Sequence, residues 1–215
     1  MYNKYLKHEK GITGLETAII LIAFVVVAAV FAYTVLSAGL FATGKAQEAV
    51  YSGLKEAQST LALKGSPIAT AQTTGATGTI KQISFIVSPI LGGEPMDFTA
   101  PSANLTTNNG LASTNSTNRV VVNYSDSNQR VYDLFWTCTQ LGATNGNNLL
   151  EPGERFQITI GVTTTGANGG NMIDALLPDL STSMKFNLEV VTPAGAVLII
   201  ERTTPIFINT KIDLR

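Results

Sequence analysis

The stretch GITGLETAIILIAFVVVAAVFAYTVLSAGL, from Gly11 to Leu40, determines most of the architecture that can be predicted for this chain. Between Ala18 and Tyr33 the tyrosine hydroxyl is the only polar side-chain group. A bilayer core of about 30 Å needs roughly 20 apolar residues at a rise of about 1.5 Å per residue, and Ala18 to Ala42 meets that length. The segment therefore predicts a helix that can span a membrane.

A lysine-rich leader precedes this segment and carries Lys4, Lys7 and Lys10. Positive charge before a membrane span keeps that side in the cytoplasm, so the rest of the chain is predicted to be exported. An ordinary secretory signal is cleaved after its apolar core and loses it. In this chain Lys10-Gly11 followed by Ile12-Thr13-Gly14-Leu15-Glu16 resembles the class III signal of type IV pilin-like proteins. The resemblance implies that a prepilin-type signal peptidase cuts between Gly11 and Ile12, removes residues 1–11 and leaves the helix in the product.

The sequence from Leu15 to Leu40 also resembles the N-terminal helix of archaellins, the filament subunits of the archaeal flagellum. A second fragment, LLEPGERF from Leu149 to Phe156, resembles the opening of an archaellin strand. This resemblance implies an extracellular homopolymeric filament for swimming, built from a transient inner-membrane precursor by a membrane assembly platform and a secretion-type ATPase.

Glu16 is the one charged residue between Gly11 and Gly44. Many archaellins have glycine at this fifth mature position, whereas bacterial type IV pilins have glutamate, so an adhesive pilus subunit is one alternative. A monomeric membrane-anchored extracellular binding module is another. By resemblance to pilins, Glu16 is expected to pair with the new α-amine of Ile12 on an adjacent subunit and to set the register of assembly.

Small residues spaced four apart, Ala28 with Ala32 and Ala38 with Ala42, are expected to let the helices of neighbouring subunits approach closely. Helix-forming residues continue from Leu15 to Leu63, which predicts a helix of about 49 residues, and Gly65 and Pro67 are expected to end it. We therefore assign residues 12–64 to a filament-core helix and residues 65–215 to an outer domain.

Beyond Pro67 the apolar residues alternate with a period of two, and β-branched and aromatic residues become frequent. This pattern predicts an α+β protein in which the long helix is followed by an antiparallel, immunoglobulin-like β-sandwich. The predicted strands are Ile80–Ile90, Arg119–Tyr124, Arg130–Thr137, Arg155–Thr163, Met184–Val191, Ala196–Thr203 and Ile206–Ile212.

The tract from Ile68 to Asn118 is rich in Thr, Ser, Asn, Ala and Gly and is expected to be exposed. Acceptor sequons for N-glycosylation begin at Asn104, Asn115 and Asn123. Each sequon alone is a weak signal, because the pattern arises by chance in Asn- and Thr-rich sequence. Archaellins are commonly N-glycosylated, so the resemblance implies N-glycans at these three positions.

Composition excludes several classes of function. Charged residues make up 13% of the 215 residues, against about 25% in a typical protein. The net charge is −1, and it becomes −3 if the leader takes away three of the 14 basic and one of the 15 acidic residues. With the arginines scattered, nothing in this balance indicates binding of nucleic acid.

Residues for catalysis or cofactor binding are also missing. The single histidine, His8, lies in the leader, and Cys138 is the single cysteine, which leaves no imidazole base and no zinc set in the mature chain. Gly39 to Lys45 matches the start of a phosphate-binding loop, but Ala46 stands where that loop needs a hydroxyl. The polar residues from Asn145 to Glu154 predict a solvated turn rather than a Ca²⁺ site. We predict no enzyme, no cofactor and no metal.

Overall fold

The computed structural model describes residues 9–90, 93–142 and 145–214, with side chains from residue 14 onward. The chain forms two compact units, Met1–Ser52 and Gly53–Arg215. We call the second unit the head. The prediction of an α+β protein with a long N-terminal helix and antiparallel sheets is confirmed.

Helix α1 runs from Glu9 to Gln58 over 50 residues. Within the described residues, one helix, over Gly14–Gln58, is long and apolar enough to cross a membrane. The hydroxyls of Thr17, Thr34 and Thr43 donate to carbonyl oxygens three residues earlier, at 3.0, 2.8 and 3.0 Å. These three hydroxyls are thus satisfied within the helix itself.

The helix ends five residues before the predicted Leu63, and that part of the prediction was wrong. The hydroxyls of Ser59 and Thr60 donate to the carbonyl oxygens of Glu56 and Ala57, each at 2.8 Å, and close the last turn. Leu61–Leu63 then forms strand β1, which pairs with Val87–Pro89. Pairing with a distant strand outweighs the local helical preference of these residues.

The strands that follow in the described residues are β2 Ile68–Thr73, β3 Thr79–Pro89, β4 Met96–Asp97, β5 Val121–Asp126, β6 Arg130–Val131, β7 Trp136–Leu141, β8 Leu149–Leu150, β9 Arg155–Ile160, β10 Lys185–Val191, β11 Val197–Thr203 and β12 Lys211–Asp213. A short helix, α2, spans Met172–Ala175. One sheet has the order β12-β2-β3-β9-β7 with β1 also paired to β3, a second has the order β11-β10-β5-β6, and β4 pairs with β8. Every pairing between strands is antiparallel.

One hydrophobic core lies between the two larger sheets. Inward residues alternate along the strands, as the buried side chains of Phe156, Ile158 and Ile160 on β9 show. Phe98 meets Trp136 and Phe156 edge to face, with ring centroids 6.2 and 6.0 Å apart. Every member of the core cluster lies between Leu61 and Leu214, so the head supplies its own core.

The predicted strand Arg130–Thr137 is divided between the two sheets. Its first residues form β6 beside β5, and its end opens β7 beside β9. Asp133 has a φ of +54°, and its backbone N–H donates to Asn123 Oδ1 at 3.1 Å. The chain crosses from one sheet to the other at this residue, and the even alternation of the sequence gives no sign of the crossing.

The tract from Ile68 to Asn118 is less exposed than predicted. Ala69 and Ala71 point into the core from β2, and Met96 and Phe98 are buried as well. The last predicted strand, Ile206–Ile212, keeps only its end as β12, while Ile208 is buried where it bridges to Gly75. Small side chains on β2 gave too weak a hydrophobic pattern for the sequence to indicate a strand.

Candidate functional site

Helix α1 exposes a continuous run of apolar side chains. Every residue from 14 to 57 is exposed, and Phe24, Phe31 and Phe41 leave 75%, 70% and 70% of their surfaces open. Between Ala18 and Tyr33 the apolar side chains surround the helix on all sides rather than forming one stripe. A helix that is apolar all round requires lipid or other helices around it.

The four predicted packing alanines lie on this surface. Ala28 and Ala32 are one turn apart and share a face, as do Ala38 and Ala42. At about 100° per residue, the two pairs lie roughly 80° apart around the axis. They therefore mark two neighbouring faces of the helix, on which two different partner helices could approach closely.

Glu16 is exposed near the start of α1, and none of the ion pairs among the described residues includes it. The Gly11–Ile12 bond lies within α1, and the side chains of these two residues lie outside the described part of the chain. Ile12 and Glu16 are one helical turn apart, about 6 Å along the axis. A carboxylate at this spacing is one turn from an α-amine that cleavage would create.

Two of the three sequons lie side by side. Asn104 and Asn115 occupy neighbouring turns, which are joined by the bridge between Ala103 and Ala112 and by the Ser102 N–H donating to Ser116 Oγ at 2.9 Å. Asn115 is exposed, and Asn104 is half-buried, with its Oδ1 accepting from the N–H groups of Thr106 and Thr107. One patch of the head presents both sequons.

Asn123 differs from the other two. It lies in the middle of β5 with 9% of its surface exposed, and its Oδ1 is the acceptor of the Asp133 N–H. A sugar could reach Asn123 only before this strand folds. The sequon pattern is the same at all three positions, so burial separates them where sequence could not.

Among the residues described, no group of three or more His, Cys, Asp and Glu side chains is placed to hold a metal ion. The glycines and lysine of the phosphate-loop pattern, Gly39 to Lys45, are inside α1, where their backbone is helical rather than a loop. The turn before β9 uses its oxygens internally, since Glu154 Oε2 accepts the Glu151 N–H at 3.1 Å. Burial raises the pKa of the half-buried Cys138 thiol to about 11, which disfavours the reactive thiolate.

The head has two ends, which strand β3 connects. At the near end β1 meets the last residues of β3, and Thr192 Oγ1 donates to Ser59 Oγ at 3.3 Å. At the far end the turn from Thr73 to Thr79 meets Ser181 and Ile208. We define the near end by residues 58–60, 94–97 and 192–196, and the far end by residues 73–79, 177–183 and 204–208.

A cavity of about 300 Å³ opens at the near end. Its apolar lining comes from Pro95, Met96, Leu149, Pro193 and Ala194. Its charged lining consists of two ion pairs with long N–O distances. Those pairs are Lys55 with Glu94 at 3.9 Å and Arg119 with Asp97 at 3.7 Å. The Thr99 hydroxyl and N–H donate to Asp97 Oδ1 at 2.6 and 2.9 Å and lower the pKa of that carboxyl.

The far end carries exposed apolar side chains held by a polar network. Leu177 is 89% exposed and Ile206 is 79% exposed. The Gln129 side chain binds the backbone on both sides of the Leu177–Pro178 bond, accepting from Leu177 N–H at 2.8 Å and donating to the Pro178 oxygen at 2.6 Å. Asp126 holds Gln129 in turn, by accepting from its backbone N–H at 2.9 Å.

Asp126 is the centre of this network. Tyr124 Oη, Asn128 N–H and Gln129 N–H donate to its carboxylate at 2.7, 2.6 and 2.9 Å. Burial alone raises the pKa of Asp126, but the hydrogen bonds outweigh burial and hold the pKa below its usual value. Burial and the Asp126 charge raise the pKa of Tyr124 strongly, so its hydroxyl remains a donor.

The sequence reasoning missed both ends of the head. The signal available for Leu177 was an apolar residue before a proline and an aspartate, which does not distinguish an exposed side chain from a buried one. The near-end cavity joins residues 55, 94–97, 119, 149 and 193–194, which are far apart in the chain. Only the folded arrangement brings them together.

Archaeal flagellins are similar to this chain in sequence and in structure. The family model described as archaeal-type flagellin matches residues 11–202. A probable flagellin 2 from Archaeoglobus fulgidus is 37% identical over 209 residues, covering 94% of this chain and 93% of the relative. A probable flagellin 1 from the same organism is 35% identical over 216 residues and covers 98% of both chains.

Among solved structures, the archaeal flagellum of Methanospirillum hungatei superposes with a TM-score of 0.58 at 33% identity. The match covers 93% of this chain and 98% of that chain, so it includes the long helix and the sheets together.

Proposed function

Since this chain belongs to the archaeal-type flagellin family, we propose a route by which it enters and stabilises its filament. The chain is a structural subunit of the archaeal flagellum filament, an extracellular homopolymer. This reading is favoured over an adhesive pilus subunit and over a membrane-anchored monomer. The single observation that carries it is the surface of α1, where 44 consecutive residues are exposed, from 14 to 57.

The first proposed step is removal of the leader. A prepilin-type signal peptidase would cut between Gly11 and Ile12, and the apolar helix would remain in the product as a transient membrane precursor. The lysines before the span and the length of the span support this step. Mass spectrometry of sheared filaments tests it, with Ile12 expected as the first residue; a filament protein that begins beyond Leu40 would overturn it.

The second proposed step is transfer of α1 from lipid into a bundle of its copies. Little hydrophobic free energy is gained in this transfer, because lipid tails are as apolar as the helix surface. Exposing the finished bundle to water would uncover on the order of twenty large side chains at about 1.5 to 3 kcal/mol each. Growth therefore needs an energy-coupled machine, for which we propose a membrane platform and a secretion-type ATPase, and the finished filament should resist dissociation.

Glu16 is proposed to set the register of this transfer by pairing with the Ile12 α-amine of a neighbouring subunit. A carboxylate beside apolar helices is stabilised by an opposite charge, and no partner inside the chain competes for it among the ion pairs described. Glu16→Gln should slow filament growth in pulse-labelled cells. Glu48→Gln on the same helix is the matched control, and equal growth of both variants would contradict the pairing.

N-glycans are proposed at Asn104 and Asn115, which lie on one surface patch with Asn104 half-buried and Asn115 exposed. Asn123 is buried, so we propose a glycan there only if it is attached before the chain folds. Intact-mass measurement of Asn104→Gln and Asn115→Gln filaments should each show the loss of one glycan. Unchanged masses would contradict the assignment.

Deletion of the gene tests the function itself. Cells that lack the chain should lose swimming and the corresponding filament, and the full chain supplied in trans should restore both. Loss of surface attachment with normal swimming would instead indicate an adhesive pilus. The family consists of structural subunits, and we propose no catalytic role, cofactor or metal for this chain.

A further inference from the structure

We propose that neighbouring heads in the filament contact each other head to tail, with Leu177 at the far end of one head seated in the cavity at the near end of the next. The occupant of the cavity is thus a second copy of this chain. The proposal rests on the chain being a filament subunit, and it identifies a contact between heads in addition to the packing of the helices.

The far end is built as a preformed apolar projection. Leu177 leaves 89% of its surface exposed, more than any other large apolar side chain described in the head. Its backbone is nevertheless fixed, because the Gln129 amide binds Leu177 N–H and the Pro178 oxygen at 2.8 and 2.6 Å. An exposed side chain on an ordered backbone loses little conformational entropy when a partner covers it, which is the property of an interface anchor.

The near end offers a matching cavity. At about 300 Å³ it is at the lower limit of ligand-binding clefts and has room for one branched aliphatic side chain. Met96, Leu149, Pro193 and Ala194 supply apolar walls for such a side chain. The cavity is formed within the head, so a partner finds it already shaped.

The charges beside the two features are complementary. Asp179, two residues from Leu177, is partly buried and has no hydrogen bond or ion pair among the described residues. At the cavity rim, Lys55 and Arg119 expose 65% and 69% of their side chains, and their distances to Glu94 and Asp97 exceed hydrogen-bonding range. Thr99 donates both of its hydrogen bonds to Asp97 Oδ1, and Arg119 Nε lies 3.7 Å from Asp97 Oδ2, so Arg119 has no close hydrogen bond to this carboxylate. A docked far end would bring the Asp179 carboxylate to these two cations.

The positions of the two features suit an open polymer. Projection and cavity are at opposite ends of the head, on different surfaces, so one contact leaves both a free projection and a free cavity for further copies. Such a heterologous contact repeats along a filament, whereas a contact that used the same surface on both partners would close into a dimer.

Disulfide trapping tests the proposal on whole filaments. In a Cys138→Ser background, Leu177→Cys and Ala194→Cys are introduced into the full chain, filaments are sheared from cells and mildly oxidised, and the product is separated without reductant. The double variant should give a ladder of dimers, trimers and longer chains, and each single variant should give none. A double variant with Leu177→Cys and Ile199→Cys is the matched control, because Ile199 is also exposed but lies on the outer face of β11.

The possible outcomes separate this contact from the function. Intact filaments without a ladder, or with cross-linked dimers alone, would overturn the head-to-tail contact and leave the function standing. Failure of the unaltered chain to form any filament would overturn the proposed function and this contact with it.

A second measurement needs no cysteine. Leu177→Asp should lower the yield of filaments that survive shearing severalfold, because each contact between heads loses its apolar anchor. Ile199→Asp should leave the yield unchanged. Because both side chains are exposed in the single chain, neither change should alter the folding of the head, and equal yields would overturn the role of Leu177.

Discussion

Phe24 on helix α1 leaves 75% of its surface exposed, whereas Phe156 in the head leaves 1%. Both belong to long apolar patterns, but the patterns differ in period and in partner. The β-strands alternate, so each apolar face meets the face of another strand in the same chain. The helix is apolar on all sides between Ala18 and Tyr33, and its residues are exposed from 14 to 57.

This difference separates folding from assembly. The head buries its apolar residues when the chain folds, while the helix requires lipid first and other helices later. Substitutions in the core of the head should therefore change the stability of a single chain, and substitutions in the helix or at the exposed ends of the head should change the polymer.

The strongest way to test this separation is a charge in the middle of the apolar helix. Val26→Asp should abolish filaments, because an aspartate at the centre of a membrane helix costs about 2.5 to 3.5 kcal/mol for insertion and has no partner inside a helix bundle. Electron microscopy of sheared material measures the loss. Thr137→Asp on the exposed side of β7 is the control and should assemble normally. Normal filaments from Val26→Asp would show that the helix is not the filament core.

The helix was predictable from sequence because its formation depends on no contact with the rest of the chain, and for the same reason its surface is exposed. Its hydrogen bonds and its apolar character are local, so a window of about 20 residues contains the whole signal. Its end was not predictable, because Leu61–Leu63 leaves the helix to pair with β3, more than twenty residues further along the chain. The class of the head followed from its alternating strands, but the crossing at Asp133 depends on a contact with Asn123 that no local pattern indicates.

The candidate sites divide in the same way. Glu16 was predicted as a site by resemblance to pilins, the alanine pairs from spacing along one helix, and Asn104 and Asn115 from a three-residue pattern, and all of these remain predictions. Asn123 has that same pattern and is buried, since its exposure depends on the strands beside β5. Leu177 and the near-end cavity depend on long-range packing, and sequence alone gave neither.

The next largest effect is expected in the core of the head. Phe98→Ala should lower the free energy of unfolding of the head by about 3 to 5 kcal/mol, because it removes a ring packed against Trp136 and Phe156. Urea unfolding of the fragment from residue 53 to residue 215, which holds the whole core cluster, measures the change. Phe207→Ala, at a side chain that is 53% exposed, should cost less than about 0.5 kcal/mol. Equal losses from the two variants would contradict the assignment of the core.

A pair of glycines tests how closely the loops of the head pack. Gly170 and Gly166 both have positive φ, +84° and +71°. An added Cβ at Gly170 would lie 2.2 Å from the Asn108 oxygen, while none of the described atoms lies within 4 Å at Gly166. Gly170→Ala should cost about 2 to 4 kcal/mol from backbone strain and overpacking, and Gly166→Ala about 1 kcal/mol from strain alone. Thermal unfolding of the fragment from residue 53 to residue 215, carrying one or the other substitution, measures both losses of stability. A smaller loss of stability for Gly170→Ala than for Gly166→Ala would contradict the close approach.

The smallest expected effect is electrostatic and depends on pH. Asp126→Asn should destabilise the head at pH 7 by about 1 to 2 kcal/mol, because four donors on Tyr124, Asn128 and Gln129 lose a charged acceptor. The folded-state pKa of Asp126 is below its unfolded value, so its stabilising contribution is present above about pH 4 and is lost as the pH falls through the folded-state pKa. The difference in free energy of unfolding between wild type and Asp126→Asn, measured by urea unfolding, should therefore become smaller from pH 7 to pH 2. Glu201→Gln removes an exposed ion pair with Lys185, so at pH 7 its free energy of unfolding should differ from that of the wild type by less than that of Asp126→Asn does. If the difference in free energy of unfolding between wild type and Asp126→Asn stays constant from pH 7 to pH 2, the Asp126 charge does not stabilise the far end.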